Sequence, residues 1–124
     1  MKIALATVSN RMIKPKTALA MMNLVAKTEH EIVPIMATEG YTTAEGRSFS
    51  VIHAIKRGCS HILFVDDDMT FPADTLERLL AHGKEIVGVY SYSRTLPLSP
   101  TVAFLDDKGE YLPQSRIGII KRPE

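Results

Sequence analysis

Three adjacent carboxylates, Asp66, Asp67 and Asp68, are the residues of this chain best suited to chemistry. Side by side they repel one another, so they call for a compensating cation or an opening to water. Alternate residues of an extended chain point to the same side, which would let Asp66 and Asp68 converge on one ion while Asp67 points away. Hard oxygen ligands favour Mg²⁺ or Mn²⁺. The plainer alternative is a solvated acidic turn in which Asp68 helps to cap the helix that follows.

The elements around these acids give them a place in a fold. Ile62, Leu63, Phe64 and Val65 form an unbroken apolar run, the pattern of a strand buried on both faces of a parallel sheet. Pro72 suits the first turn of a helix, and Leu76, Leu79 and Leu80 fall on one helical face. The acids then lie at the carboxyl end of a central strand, the edge at which open α/β sheets place their ligands. Upstream, Ile3 to Val8 reads as a strand whose end carries Ser9 and Asn10, and Lys14 to Lys27 as a helix burying Ala18, Met21, Met22 and Val25. Glu31 to Thr38 reads as a second strand, with Pro34 placing it at a sheet edge or bulge and Glu39 just beyond its end.

A turn-forming run from Gly40 to Gly46 precedes a second helix, ending near Gly58, with Phe49, Ile52, Ile55 and Cys59 inward. Arg47 stands at its start, where the helix dipole prefers negative charge, and there it would suit an anionic ligand such as a diphosphate. A surface arginine in water is the alternative. Beyond the acidic unit, Glu85 to Val89 reads as a fourth strand and the segment with Tyr90, Tyr92 and Arg94 as a pocket wall or lid. Thr101 to Leu105 and Glu110 to Leu112 then form a hairpin around the turn at Asp106 and Asp107, and Arg116 to Ile120 a last strand. Of the four histidines, His53 and His61 read as packing residues.

Composition narrows the function classes. A length of 124 residues suits one domain with one core. Fifteen basic and 14 acidic residues give a net charge of +1, which makes no electrostatic case for nucleic-acid or bilayer binding. Cys59 is the only cysteine, so an intrachain disulfide and a cysteine zinc site are both excluded. No apolar run approaches the roughly 20 residues of a membrane span, and the amino terminus lacks a cleavage signal. The expectation is a cytoplasmic protein.

The order β-α-β-α-β, three aspartates, α-β, loop and hairpin resembles the nucleotide-binding half of GT-A glycosyltransferases, especially family 2-like enzymes and phage relatives. The resemblance is carried by the hydrophobic strand ending in a DxD motif at Asp66 to Asp68, by MTFPADTLERLL after it, by the arginine-led helix at Arg47 and by VGVYSYSR downstream. It implies a Rossmann-like three-layer α/β/α fold with a mostly parallel sheet and a C-terminal antiparallel hairpin, in one domain over residues 1–124. It implies a metal-dependent transferase using a nucleotide-sugar donor, a UDP-sugar ahead of a GDP-sugar, with Mn²⁺ or Mg²⁺. Asp68 then ligates the metal, Asp66 lies near the ribose or sugar, and Asp67 is at the nucleotide without a fixed role. Thr7 and Ser9 face the nucleotide, Glu39 reads the base or ribose, Arg47 approaches the diphosphate, and Tyr90 and Arg94 flank the donor sugar or the acceptor.

Members of the family usually continue into an acceptor-binding half that carries the catalytic base and often a late histidine on the metal, whereas this sequence stops at Glu124. Asp106, Asp107 and Glu110 are candidate bases only by default, the acceptor is open, and exposed strand edges would suit a homodimer. Two other readings stand beside transfer. One is a nucleotide-sugar-binding module without turnover. The other takes Asp66-x-Asp68-x-Thr70 as the nucleophile motif of haloacid-dehalogenase-like phosphatases, although that motif normally follows the first strand.

Overall fold

The computed structural model of the chain describes residues 1–9, 12–38, 40–89 and 105–110. The chain divides into two compact units, Met1–Lys84 and Glu85–Glu124. The first is an α/β unit built from β1 (Lys2–Val8), α1 (Pro15–Lys27), β2 (Glu31–Ala37), α2 (Thr43–Lys56), β3 (His61–Phe64) and α3 (Thr75–Ala81). Its three strands are parallel in the order β2-β1-β3.

Alternation along β1 sends its side chains to two different cores. Ala4 and Ala6 pack with Val33, Ile35 and Ala54, so α2 covers one face. Ile3 packs with Leu24 and Leu76, so α1 and α3 cover the other. Because all strands run the same way, the loop after each strand opens at one edge. Each helix also begins at that edge.

Both long helices turn a different side inward from the one their large apolar residues suggest. α1 buries Thr17, Ala20 and Leu24, whereas Met22 and Val25 are exposed and Ala18 and Met21 half-buried. α2 buries Gly46, Ser50 and Ala54, with Phe49 and Cys59 against the same core and Ile52 and Ile55 in solvent. Small residues win on α2 because the helix lies very close to the sheet. A Cβ on Gly46 would sit 2.6 Å and 2.9 Å from the two Val8 methyls and 3.2 Å from Ala37 Cβ. Gly46 thus belongs to the helix and not to the preceding turn. Gly46→Ala is expected to lower stability by about 1–2 kcal/mol, overpacking outweighing the better helix propensity of alanine. Urea unfolding measures this; a more stable variant would show that α2 has room to move.

Capping explains where α2 starts and stops. Thr42 Oγ1 accepts from the Glu45 amide and Glu45 Oε2 accepts from the Thr42 amide, each at 3.2 Å, a complete capping box. At the other end Gly58, at φ 72°, closes a Schellman turn in which Cys59 N donates to Ala54 O at 2.9 Å. The helix therefore begins at Thr43, and Arg47 lies in its second turn and not at its tip.

Among the described residues β2 pairs with β1 alone, an edge position that tolerates the missing amide donor of Pro34, which stands opposite Leu5. β3 differs from expectation. Among the described residues it pairs with β1 alone, so it is an edge and not a central strand, and Phe64 is exposed. Glu85–Val89, expected as a fourth strand, is not a strand, and Ile86 and Val89 lie in solvent. α3 starts at Thr75, with Pro72 ahead of the helix, where its carbonyl accepts from Thr75 Oγ1 at 2.6 Å. Leu76 is buried and Leu80 packs on the same cluster, while Leu79 is half-buried.

In the second unit the turn at Asp106 is formed: its carboxylate accepts from the amides of Lys108 and Glu110, each at 2.9 Å, and Gly109 takes φ 80°. Apart from Leu105 and Glu110, the strands expected on either side of it, and the last strand at Arg116 to Ile120, fall outside the described residues. No described helix is long and apolar enough to cross a membrane.

Candidate functional site

The carboxyl edge of the sheet gathers Ser9 after β1, Thr38 after β2 and Asp66 to Asp68 after β3. Parallel pairing brings these ends together. The ladders also run past the regular strands: Ser9 N donates to Ala37 O at 3.0 Å and Val65 N to Ala6 O at 2.9 Å.

The three aspartates do not follow strand alternation. β3 ends at Phe64, and Asp67 and Asp68 lie in a turn, so the extended geometry that would aim Asp66 and Asp68 to one side is absent. Tertiary partners separate the first two acids instead. Asp66 Oδ1 lies 3.6 Å from Nη2 of Arg47, and both side chains are more than half exposed. Asp67 turns inward, and its Oδ2 accepts from the Ser9 hydroxyl at 2.9 Å. Asp68 is half-buried beside them.

Arg47 reaches Asp66 because α2 lies close over β1 at Gly46, one residue earlier. Its guanidinium also stands 5.9 Å from the ring centroid of Phe64, within cation–π range. The exposed Phe64 thereby supports the arginine from below. An ion pair this exposed contributes about 0–1 kcal/mol, so its geometry matters more to a ligand than to the fold.

Thr7 and Ser9, one strand step apart, have different surroundings. Both are buried, but the Ser9 hydroxyl is spent on Asp67, whereas the Thr7 hydroxyl has no hydrogen-bond partner among the described residues. Thr17 Oγ1 and Glu77 Oε2 are likewise buried without one. Glu39, Tyr90 and Arg94 lie outside the described residues. Of the histidines, His53 is half-buried with its ring edge-on to Phe49 at 4.0 Å, while His61 is exposed and hydrogen-bonded through Nδ1 to Ser60 Oγ at 2.9 Å. His61 is therefore not a packing residue. It opens β3 at the edge of the sheet opposite the aspartates.

Among the described residues no group of three or more histidine, cysteine or acidic side chains is arranged to hold a metal. The residues expected from the sequence to hold an ion there are Asp66 and Asp68. Two carboxylates suit Mg²⁺ or Mn²⁺, which commonly keep several waters and take further oxygens from a bound phosphate. The set fits neither a structural zinc site nor a calcium cage, which need more protein ligands.

The contacts that sequence reading missed are the Ser9–Asp67 hydrogen bond, the aromatic support from Phe64 and the close approach at Gly46. Only the last carried a sequence signal, a glycine followed at i+4 and i+8 by Ser50 and Ala54 on the inner helix face. Comparison of this chain with family models, with curated proteins and with solved structures finds no match in any of the three.

Proposed function

We propose that the carboxyl edge of the sheet binds a nucleoside-diphosphate sugar together with Mn²⁺ or Mg²⁺, and that the protein transfers the sugar to an acceptor. The observation that carries this reading is the approach of Arg47 to Asp66. It sets an exposed guanidinium and an exposed carboxylate 3.6 Å apart at the edge that also holds Asp67 and Asp68. A cation and acids side by side suit a ligand with both a diphosphate and sugar hydroxyls.

Arg47 would bind the diphosphate through its planar fork of donors. Breaking the sugar–phosphate bond leaves extra negative charge on the departing diphosphate, and a guanidinium held there is attracted more strongly in the transition state than before it. Phe64 limits the directions in which that guanidinium can point. Asp66 and Asp68 would hold the divalent ion, which supplies further positive charge to the leaving group when bound. Asp66, paired with Arg47 in the free protein, would exchange that partner for ligand hydroxyls or the ion. The GT-A resemblance makes a UDP-sugar the first donor to test and a GDP-sugar the second.

The test is release of nucleoside diphosphate from a panel of UDP- and GDP-sugars in Mn²⁺, with Arg47→Ala beside the native protein. The expected result is metal-dependent release with one donor. Arg47→Ala should lose about 100-fold in kcat, the cost of removing one preorganised charge-stabilising donor, with stability unchanged within about 0.5 kcal/mol. Binding without release would favour a nucleotide-sugar-binding module. Equal release by Arg47→Ala would remove Arg47 from the diphosphate.

A further inference from the structure

Asp67 is bonded through both its side chain and its backbone. Its side-chain Oδ2 accepts from the Ser9 hydroxyl at 2.9 Å, and its backbone carbonyl accepts from the Lys14 amide at 2.9 Å. Each partner is itself anchored. Ser9 is 6% exposed, and its amide donates to Ala37 O at the end of β2. Lys14 is the N-cap residue of α1, whose carbonyl accepts from Ala18 N at 3.0 Å and which has no side-chain cap. One residue in the turn after β3 is thus bonded to the end of β1, through Ser9 to β2, and to the first turn of α1.

We propose that Asp67 is a positioning residue: with Ser9 and the Lys14 amide it clamps the turn after β3, and so fixes the directions from which Asp66 and Asp68 meet a divalent cation. The inference rests on reading this edge as the metal and donor site. It assigns the middle carboxylate to the protein's own frame, beside the two acids that the functional reading takes as the ion's ligands. The physical reason is conformational entropy. A turn carrying three like charges prefers to splay, and an unclamped turn would have to be ordered by the ligand at a cost in affinity. Two hydrogen bonds, one of them charge-assisted and partly buried, order it beforehand.

Ser9→Ala is the decisive variant, because it breaks the clamp and keeps all three carboxylates. Two quantities are measured on the full chain: hydrogen exchange of the Lys14 amide by NMR, and affinity for Mn²⁺ alone from the free-ion paramagnetic resonance signal. The expected result is Lys14 exchange about tenfold faster and Mn²⁺ affinity about three- to tenfold weaker, the scale of one net hydrogen bond. Asp67→Asn, whose side-chain carbonyl can still accept from Ser9, should keep Lys14 exchange within about twofold of native, and Asp67→Ala should not. Unchanged exchange in Ser9→Ala would overturn the clamp and leave the functional reading untouched. Faster exchange with unchanged Mn²⁺ affinity would overturn its positioning role. A native protein that binds no Mn²⁺ would instead bring down the donor-site reading, and the positioning role with it.

Discussion

Asp68→Asn is expected to weaken Mn²⁺-dependent binding of the nucleotide-sugar donor by about 100-fold or more, and Asp66→Asn to do so to a similar degree. With Asp66 and Asp68 as the two carboxylates on the ion, removing either deletes half of the negative charge that the pair would place on it. Even residues one step removed from a metal typically cost 10- to 100-fold in affinity, so loss of a ligand should lie at or above that range. The fold should survive, since each substitution relieves repulsion among three adjacent acids. Calorimetric titration in Mn²⁺ measures the affinity and urea unfolding checks the fold. Affinity that is retained in both variants would place the donor elsewhere.

Leu24→Ala is expected to cost about 2–5 kcal/mol, a large part of the stability of a small domain. Leu24 is wholly buried in one cluster with Ile3 of β1 and Leu76 of α3. Val25→Ala, one residue on, should change stability by less than about 0.5 kcal/mol because Val25 is 47% exposed. Urea unfolding of the two variants therefore reads which side of α1 faces the sheet. A larger loss at Val25 would restore the stripe that hydropathy alone selects.

That stripe shows where sequence reading reached its limit. The order of strands and helices from Lys2 to Ala81 could be read from apolar runs and turn residues, as could the edge position of β2 from Pro34 and the end of α2 at Gly58. Which helix face is buried could not. On α1 two sets at helical spacing overlap, and the one containing polar Thr17 is the one buried. On α2 the bulky Ile52 and Ile55 outweigh Gly46, Ser50 and Ala54 on any hydropathy scale, yet only small side chains fit where helix and sheet nearly touch.

The candidate site divides in the same way. Residue types at a strand end marked the aspartates, and a cation at the neighbouring helix marked Arg47. Their partners depend on tertiary geometry. Asp66 meets Arg47 because α2 folds down onto Val8, and Asp67 meets Ser9 because β1 and β3 are neighbours. The alternation argument failed at Asp66 to Asp68 for a local reason: it holds only along extended chain, and the strand has already given way to a turn.

The most direct test of the donor-site reading is calorimetric titration of the native protein with UDP-sugars and GDP-sugars, in Mn²⁺ and again after chelation. Saturable binding of one donor that is present with Mn²⁺ and lost on chelation is the predicted result. Absence of binding by every nucleotide sugar, or binding indifferent to the metal, would contradict it.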